Sequence, residues 1–541
     1  MPQLKLTVNE ISRIIQLDMT PPLKLDSLPQ TGDSTIVTAS SLTVSLPRPP
    51  RLFYRHGWQS WSLATWTEPT PLPIQHPKIL HTLQTDPRYA NKTSPHGSWV
   101  GAVEFAEDDI LLLGALGLDA HAQLNSDRLE GWNEAGEVEW LIARGSEESV
   151  FAKYTSELAK RLGTKSNQPA PRVWCSWYSL YTAIDETILH QVFDGLGDLP
   201  FDVFQVDDGW QISIGDWEAN TKFPSGMSAL ANRIKSTGRR AGLWLAPLIA
   251  VESSRLFRNH PDWFLHDAEG KSVSAGFNWG EQLYALDTTH PAALEWLAAL
   301  MKQVRAWGFD YLKLDFLYAG ALPAKRHNDT PREAAYHEAL KGMRDAMGSD
   351  AFFLACGAPI LPSLGFCDAL RVGPDVSGKW EDPRDARLLY NFSTPGTRNA
   401  IRTTVNRLWL EPLTMVDPDV AYFVGKENSL SAEQKQLLQD LALLCNFKAT
   451  SDLPQWMTPA EREALLDFLR ASPKVRRLNR EKFQLGDRVV DFSSALSLSD
   501  PPTGMTKFPA AFLGWLGNQP LTLNLFHRMN EASFKKRRKS L

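Results

Sequence analysis

Cysteine is scarce in this sequence. Cys175, Cys356, Cys367 and Cys445 are widely scattered and show no Cys-x-x-Cys spacing, so neither a disulfide framework nor a zinc site is suggested. Long apolar runs are missing too: no stretch reaches the roughly 18 uninterrupted apolar residues of a membrane helix. The opening Met-Pro-Gln-Leu-Lys-Leu-Thr has no apolar signal core, and the expected location is the cytoplasm. A surplus of one charge is also absent. A net charge of -5 with 22% charged residues calls for neither nucleic acid nor a membrane surface. No internal repeat and no low-complexity segment appears.

Tryptophan, by contrast, is abundant: 19 in 541 residues, several beside Asp, Gly or Ser rather than inside apolar runs. Sugar rings offer C–H faces that stack on indole, which hints at carbohydrate; a Trp-rich core is the simpler alternative on composition alone. The length predicts two or three domains. Residues 1–165 show short alternating runs between Pro, Gly and Asp clusters, the pattern of an antiparallel β-sandwich. Within them Arg55-His56-Gly57-Trp58-Gln59-Ser60-Trp61-Ser62 gathers aromatic and polar groups. On residue type alone it reads as a turn with packed indoles rather than a loop reaching a neighbouring site.

From Arg172 the texture becomes strand, helix, strand. Eight candidate strands cover 173–181, 201–210, 241–248, 311–316, 352–358, 369–375, 413–420 and 449–453, with helical runs at 292–305, 331–347, 432–444 and 459–470. This predicts a (β/α)₈ barrel over 166–472. Residues 473–541 read as a small C-terminal β domain, with strand-like runs at 488–492 and 520–526. The cluster Lys535-Lys536-Arg537-Arg538-Lys539 reads as a solvated basic tail.

The barrel is organised around Gly308-Phe309-Asp310-Tyr311-Leu312-Lys313-Leu314-Asp315-Phe316, a buried strand carrying two charges near its C-terminal end. Residues two apart share a face, and barrel strands gather catalytic groups at that end. Lys313 and Asp315 therefore share either a site or a structural ion pair, and the stretch alone leaves both open. The ends of the other strands carry Trp177 and Tyr178, Asp207-Asp208-Gly209-Trp210, Trp244, Cys356-Gly357, Arg371 with Asp375, and Asp417-Pro418-Asp419. Paired carboxylates on one rim suit glycosidic cleavage, one attacking the anomeric carbon and one protonating the leaving oxygen. Lys313 is expected to hold Asp315 ionised, as a nucleophile requires. Asp375 stands in a loop after Gly373-Pro374, where its pKa can be raised for acid work or where it is simply a turn carboxylate. No His pair at ligand spacing sits among these residues, so neither metal nor cofactor is expected.

With these motifs in view, the sequence resembles the α-galactosidases of glycoside hydrolase family 36, and more distantly family 27 of the same clan. The motifs are Gly57 to Ser62, Ser176 to Tyr178, Asp207 to Trp210, Gly215 to Trp217, Lys222 to Met227, Lys313 to Asp315 and Asp417 to Asp419. The resemblance implies a retaining hydrolase of terminal α-linked galactose, with Asp315 as nucleophile and Asp375 as acid/base. It implies that Asp207 and Asp208 bind an axial 4-OH and a primary 6-OH, that Lys313 and Arg371 hold other ring hydroxyls, and that Trp177 and Trp244 form apolar walls. Asp419 would close the pocket beside the acid; Trp210, Cys356 and Gly357 complete the candidate binding set. Two loops depart from the family pattern: Cys356-Gly357-Ala358-Pro359 replaces a Cys-Ser-Gly-Gly type, and Gly-Pro-Asp-Val-Ser surrounds the acid. Both flank the 2-position of the sugar, so an α-N-acetylgalactosaminidase is one alternative; an α-galactosyltransferase and a non-catalytic carbohydrate-binding protein are others. The expected partners are α-galactoside oligosaccharides or glycoconjugates, with a homo-oligomer left open.

Overall fold

The computed structural model describes residues 29–72, 85–164, 168–383, 386, 387, 389–500, 512, 515, 516 and 519–538, together with the strand backbones 3–8, 11–16 and 23–25. Two sheets, of eight and five strands, make the N-terminal part. At the middle of the larger sheet, Asp109–Ala115 pairs with both Val100–Ala106 and Val138–Gly145. Its run Ile110 to Leu113 is fully buried rather than alternating, because both faces are covered. On one face lies the helix Glu147–Leu162, seated where Gly114 leaves room: a Cβ there would come within 2.5 Å of the Tyr154 ring. The Tyr154 hydroxyl donates to the Ala115 carbonyl at 2.9 Å. Ser146 caps this helix by accepting the Ser149 N–H, with Glu147 and Glu148 in the first turn and Lys160 and Arg161 in the last. Both placements complement the helix dipole. The pairing is not wholly antiparallel, since Leu23–Leu25 runs parallel to Ser41–Ser45.

All eight predicted barrel strands are present, as Arg172–Cys175, Val203–Val206, Arg240–Leu245, Tyr311–Leu314, Phe352–Ala355, Ala369–Arg371, Met415–Asp417 and Lys448–Thr450. They lie in chain order in one sheet, and the eighth returns to pair with the first. Ala421 N–H donates to the Ala449 carbonyl at 2.8 Å across the remaining seam. Every strand is shorter than its apolar run, because the chain turns at the rim: 173–181 becomes a strand of four residues followed by the helix Trp177–Leu180. Helices Pro291–Trp307, Arg332–Met347, Ala432–Leu444 and Pro459–Arg470 lie where the sequence predicts them. The last two begin with capping boxes, Ser431 with Gln434 and Thr458 with Glu461.

Beyond the barrel, Val475–Arg477, Lys482–Leu485 and Arg488–Asp491 form a three-stranded antiparallel sheet. The expected strand at 520–526 is instead the start of a helix, Pro520–Arg538. Alternating Leu521, Leu523 and Leu525 suggest a strand, but only Leu523 is buried while Leu521 and Leu525 are exposed. Pro520 suits a first helical position, where its missing N–H costs nothing. The side chains of 535–538 and residue 539, which carry the basic tail, lie outside the described residues. All four cysteines are free and buried. Among the described residues no helix is long and apolar enough to cross a membrane.

Candidate active site

The C-terminal ends of the barrel strands bring the predicted polar residues onto one rim. Asp315 follows the fourth strand, and its carboxylate accepts the Trp244 indole N–H at 3.0 Å and the Phe316 backbone N–H at 2.8 Å. Both of these partners are N–H donors, so they orient the carboxylate oxygens. Phe316 itself lies in the left-handed region at φ 54°, a conformation rarely adopted by a bulky residue and often found at functional sites.

Lys313 does not pair with Asp315, contrary to expectation. Its ammonium donates to Asp207 Oδ2 at 3.0 Å, and both side chains are almost wholly enclosed. Lys313 lies inside the strand and reaches across the barrel to the end of the second strand, whereas Asp315 stands at the strand's end, where its N–H makes the last ladder bond, to the Leu245 carbonyl at 2.8 Å. Burial, the largest single influence, lowers the Lys313 pKa; the Asp207 charge and smaller contributions from neighbouring groups together outweigh it, and the ammonium is held well above its usual range. Asp207 Oδ2 also accepts from Gln205 Nε2 at 2.6 Å. The neighbouring Asp208 accepts from Gln211 at 2.6 Å and from the Trp279 indole at 2.8 Å. Burial raises its pKa to about 6.

Asp375 stands opposite in character. Its side chain is 29% exposed, against 0% for Asp419, so Asp375 is the carboxylate of this pair that an incoming molecule can reach. Burial and the Asp419 charge raise its pKa to about 7, with Arg371 pulling the other way. Arg371 is the hub: its Nε donates to Asp417 at 2.7 Å and its Nη1 reaches Asp419 at 2.9 Å and Asp375 at 3.3 Å. Asp419 also accepts the Tyr178 hydroxyl and the Val376 N–H. Its backbone sits at φ 77°, and its N–H is held by Asp417 Oδ1 at 2.8 Å.

Aromatic rings wall this rim. Trp244 packs against Trp217 and Trp279, and Trp177, partly exposed, stands edge-on to Tyr181. Trp210 is fully enclosed beneath them, its indole N–H bonded to the Trp244 carbonyl at 3.0 Å. Cys356 is buried with its N–H on the Leu314 carbonyl at 2.7 Å. At Gly357 the backbone turns at φ 52°, and a Cβ would come within 2.9 Å of Trp61.

Trp61 belongs to the β-sandwich, so the loop 57–62 reaches the barrel instead of remaining a local turn. Ser60 N–H donates to the Ala358 carbonyl at 3.0 Å, Ala358 N–H to Ser60 Oγ at 3.1 Å, and Ile360 N–H to the Trp58 carbonyl at 3.1 Å. Trp58 and Trp99 donate their indole N–H groups to Glu333 at 2.9 and 2.8 Å, tying the sandwich to a barrel helix. Partners some 300 residues away leave no local trace, so residue type alone misread this loop.

The melibiase family model matches residues 147–347. Among curated proteins, Alpha-galactosidase 1 of Pediococcus pentosaceus is 28% identical over 196 residues, 34% of this chain and 25% of its own length. The match thus spans about a quarter of that relative, and the same holds for AgaA of Geobacillus stearothermophilus at 27%. Among solved structures, the α-galactosidase of Thermus thermophilus in complex with p-nitrophenyl α-D-galactopyranoside is 43% identical. It has a TM-score of 0.82 and covers 91% of this chain and 100% of its own. The chain belongs to the family 36 α-galactosidases. AgaA of Geobacillus stearothermophilus, at 16% identity, TM-score 0.55 and coverage of 81% and 63%, shares the fold.

Beyond the binding candidates read from the sequence, Trp279, Trp61 and Gln205 also pack into this rim, and Asp417, read there only as part of a strand end, holds Arg371. Trp279 holds Asp208 from a hairpin inserted after the third strand; Trp61 covers Gly357; Gln205 holds Asp207. Asn278-Trp279-Gly280, a Trp between turn residues, is the one local signal for the first. Among the described residues, the group with geometry for a cation is Asp86, His121 and Glu134. It lies in the sandwich, where Arg332 already reaches Asp86 and Glu134.

Proposed function

We propose that this chain is a retaining glycoside hydrolase that releases terminal α-linked galactose from oligosaccharides or glycoconjugates. Asp315 is the nucleophile, attacking the anomeric carbon to form a glycosyl-enzyme, and Asp375 protonates the leaving oxygen and then activates water. The observation that carries this reading is the contrast between two carboxylates on one rim. Asp315 accepts two N–H donors, while Asp375 is pushed up to about 7 and stays accessible. An accessible carboxylate that keeps its proton near neutral pH suits the acid role, and one held by two N–H donors at a strand end is oriented for attack.

Asp208, Asp207 and Lys313 serve the 4- and 6-hydroxyl side of the ring, Arg371 and Asp419 the side beside the acid, and Trp177 and Trp244 its apolar faces. Trp210 supports Trp244 from below. Trp61 fills the space above Gly357, and this favours a small hydroxyl over an N-acetyl group beside Cys356 and Gly357. The complexes of the Thermus enzyme with an aryl α-galactoside and with stachyose support the substrate class. The division at 165 and 472 into sandwich, barrel and C-terminal part is proposed with it.

A panel of aryl α-glycosides differing only at the 2- and 4-positions tests the reading. The galacto compound is expected to be cleaved well, the 4-epimer and the 2-acetamido compound poorly. Comparable cleavage of the 4-epimer would overturn the assignment of Asp207 and Asp208.

The acid also predicts a pH profile. Asp375 works protonated, so kcat/KM should fall as pH rises through about 7. Asp419→Asn removes the like charge and frees Arg371 to favour the Asp375 anion; both effects lower the Asp375 pKa. The basic limb of that variant should therefore lie at lower pH than in the parent, and a limb that stayed or moved upward would exclude Asp375 as the group titrating there.

A further inference from the structure

Arg407 lies just after the helix Thr397–Val405, outside the rim, and is fully buried. Among the described residues no carboxylate lies within ion-pair reach of it. Its guanidinium donates instead to four backbone carbonyls: Nη1 to Gln59 at 3.1 Å, Ser60 at 2.9 Å and Val372 at 2.7 Å, and Nη2 to Gly57 at 2.8 Å. Burial lowers its pKa to about 10, which still leaves it charged at neutral pH. A buried cation with carbonyls alone as partners is costly to keep.

The four carbonyls belong to two segments that meet nowhere else in sequence. Gly57, Gln59 and Ser60 carry Trp61, which covers Gly357. Val372 leads through Gly373-Pro374 to Asp375, whose own carbonyl accepts the Gly396 N–H at 2.9 Å. Guanidinium presents its donors in a rigid fork, which an ammonium cannot reproduce.

We propose that Arg407 is a positioning residue for the reaction, fixing the loop that carries Asp375 against the sandwich loop that carries Trp61. The proposal rests on the assignment of Asp375 as the acid. A shift of the acid by about 1 Å is enough to cost on the order of 100-fold in rate. The cost falls where protonation matters, on substrates with poor leaving groups.

Tyr54 provides a control. Its hydroxyl donates to the Asn406 carbonyl at 2.6 Å and accepts from the Trp409 indole at 2.9 Å. It therefore crosses the same junction of sandwich and barrel through hydrogen bonds to Asn406 and Trp409 rather than to the carbonyls that Arg407 holds. The test compares the parent enzyme, Arg407→Lys and Tyr54→Phe, each checked for folding by thermal melt, on an alkyl and an activated aryl α-galactoside. Arg407→Lys is expected to lose on the order of 100-fold in kcat/KM, which reports the first step, on the alkyl substrate and only a few-fold on the aryl one. Tyr54→Phe should melt earlier but keep the parent's ratio between the substrates. Equal losses on both substrates for Arg407→Lys, or the same skew in Tyr54→Phe, would overturn the proposal. If Arg407→Lys does not fold, Arg407→Gln, which keeps two of the N–H donors, takes its place with the same expected skew. A parent enzyme inactive on both substrates would instead refute the function proposed above.

Discussion

Asp315→Ala is expected to lower turnover by about 10⁴- to 10⁶-fold, the scale seen when a nucleophile is removed from a catalytic unit. Without the carboxylate no glycosyl-enzyme can form, and water would have to attack the anomeric carbon without an assigned base on the correct face. The fold should survive, because Asp315 stands at the end of its strand and its ladder bond, N–H to the Leu245 carbonyl, is a backbone bond that alanine keeps. Two donors, the Trp244 indole and the Phe316 N–H, lose their acceptor; each costs about 1–3 kcal/mol if no water replaces it. A lowered melting temperature with a single cooperative transition is the expected accompaniment. Near-normal activity of the folded variant would remove Asp315 from the mechanism.

The second large effect concerns Asp375, which must hold a proton in the first step and lose it for the second. Asp375→Ala should slow alkyl galactosides by roughly 10²- to 10⁴-fold, the usual contribution of general acid catalysis. Activated aryl galactosides should lose far less in the first step, since their leaving groups need little protonation. Their turnover is then limited by hydrolysis of the glycosyl-enzyme, and added azide should restore part of it, because a small anion attacks without general-base help. Equal losses on both substrates with no response to azide would make Asp375 structural and shift the acid role to another carboxylate.

Much of this site was legible because barrel chemistry is written locally. A charged residue at the end of an apolar strand is a local signal, and Asp207, Asp208, Lys313, Asp315, Arg371 and Asp375 all gave it. What stood out of reach was pairing. Lys313 was matched to the carboxylate two residues away, although its partner is Asp207, 106 positions earlier. Strand ends were overextended for a related reason. Rim aromatics such as Trp177 and Tyr178 continue the apolar pattern after the ladder has ended, so hydrophobicity alone cannot mark where hydrogen bonding stops. The same limit hid Trp61, whose place above Gly357 depends on a contact between domains. Pro520–Arg538 failed in another way: three alternating leucines imitate a strand, whereas the helix is set by Pro520 and the buried face around Leu523.

The central claim is a covalent galactosyl ester on Asp315. The direct measurement uses Asp375→Ala mixed with an activated aryl α-galactoside, quenched in acid during turnover and examined by intact mass and peptide mapping. Loss of the general base slows the second step more than the first, so the intermediate should accumulate. The account predicts a gain of one hexosyl residue on the protein, confined to the peptide that contains Asp315 and absent from the double variant Asp315→Ala, Asp375→Ala. A hexosyl group on any other carboxylate, or rapid aryl release with the protein mass unchanged throughout and inverted galactose as product, would contradict it.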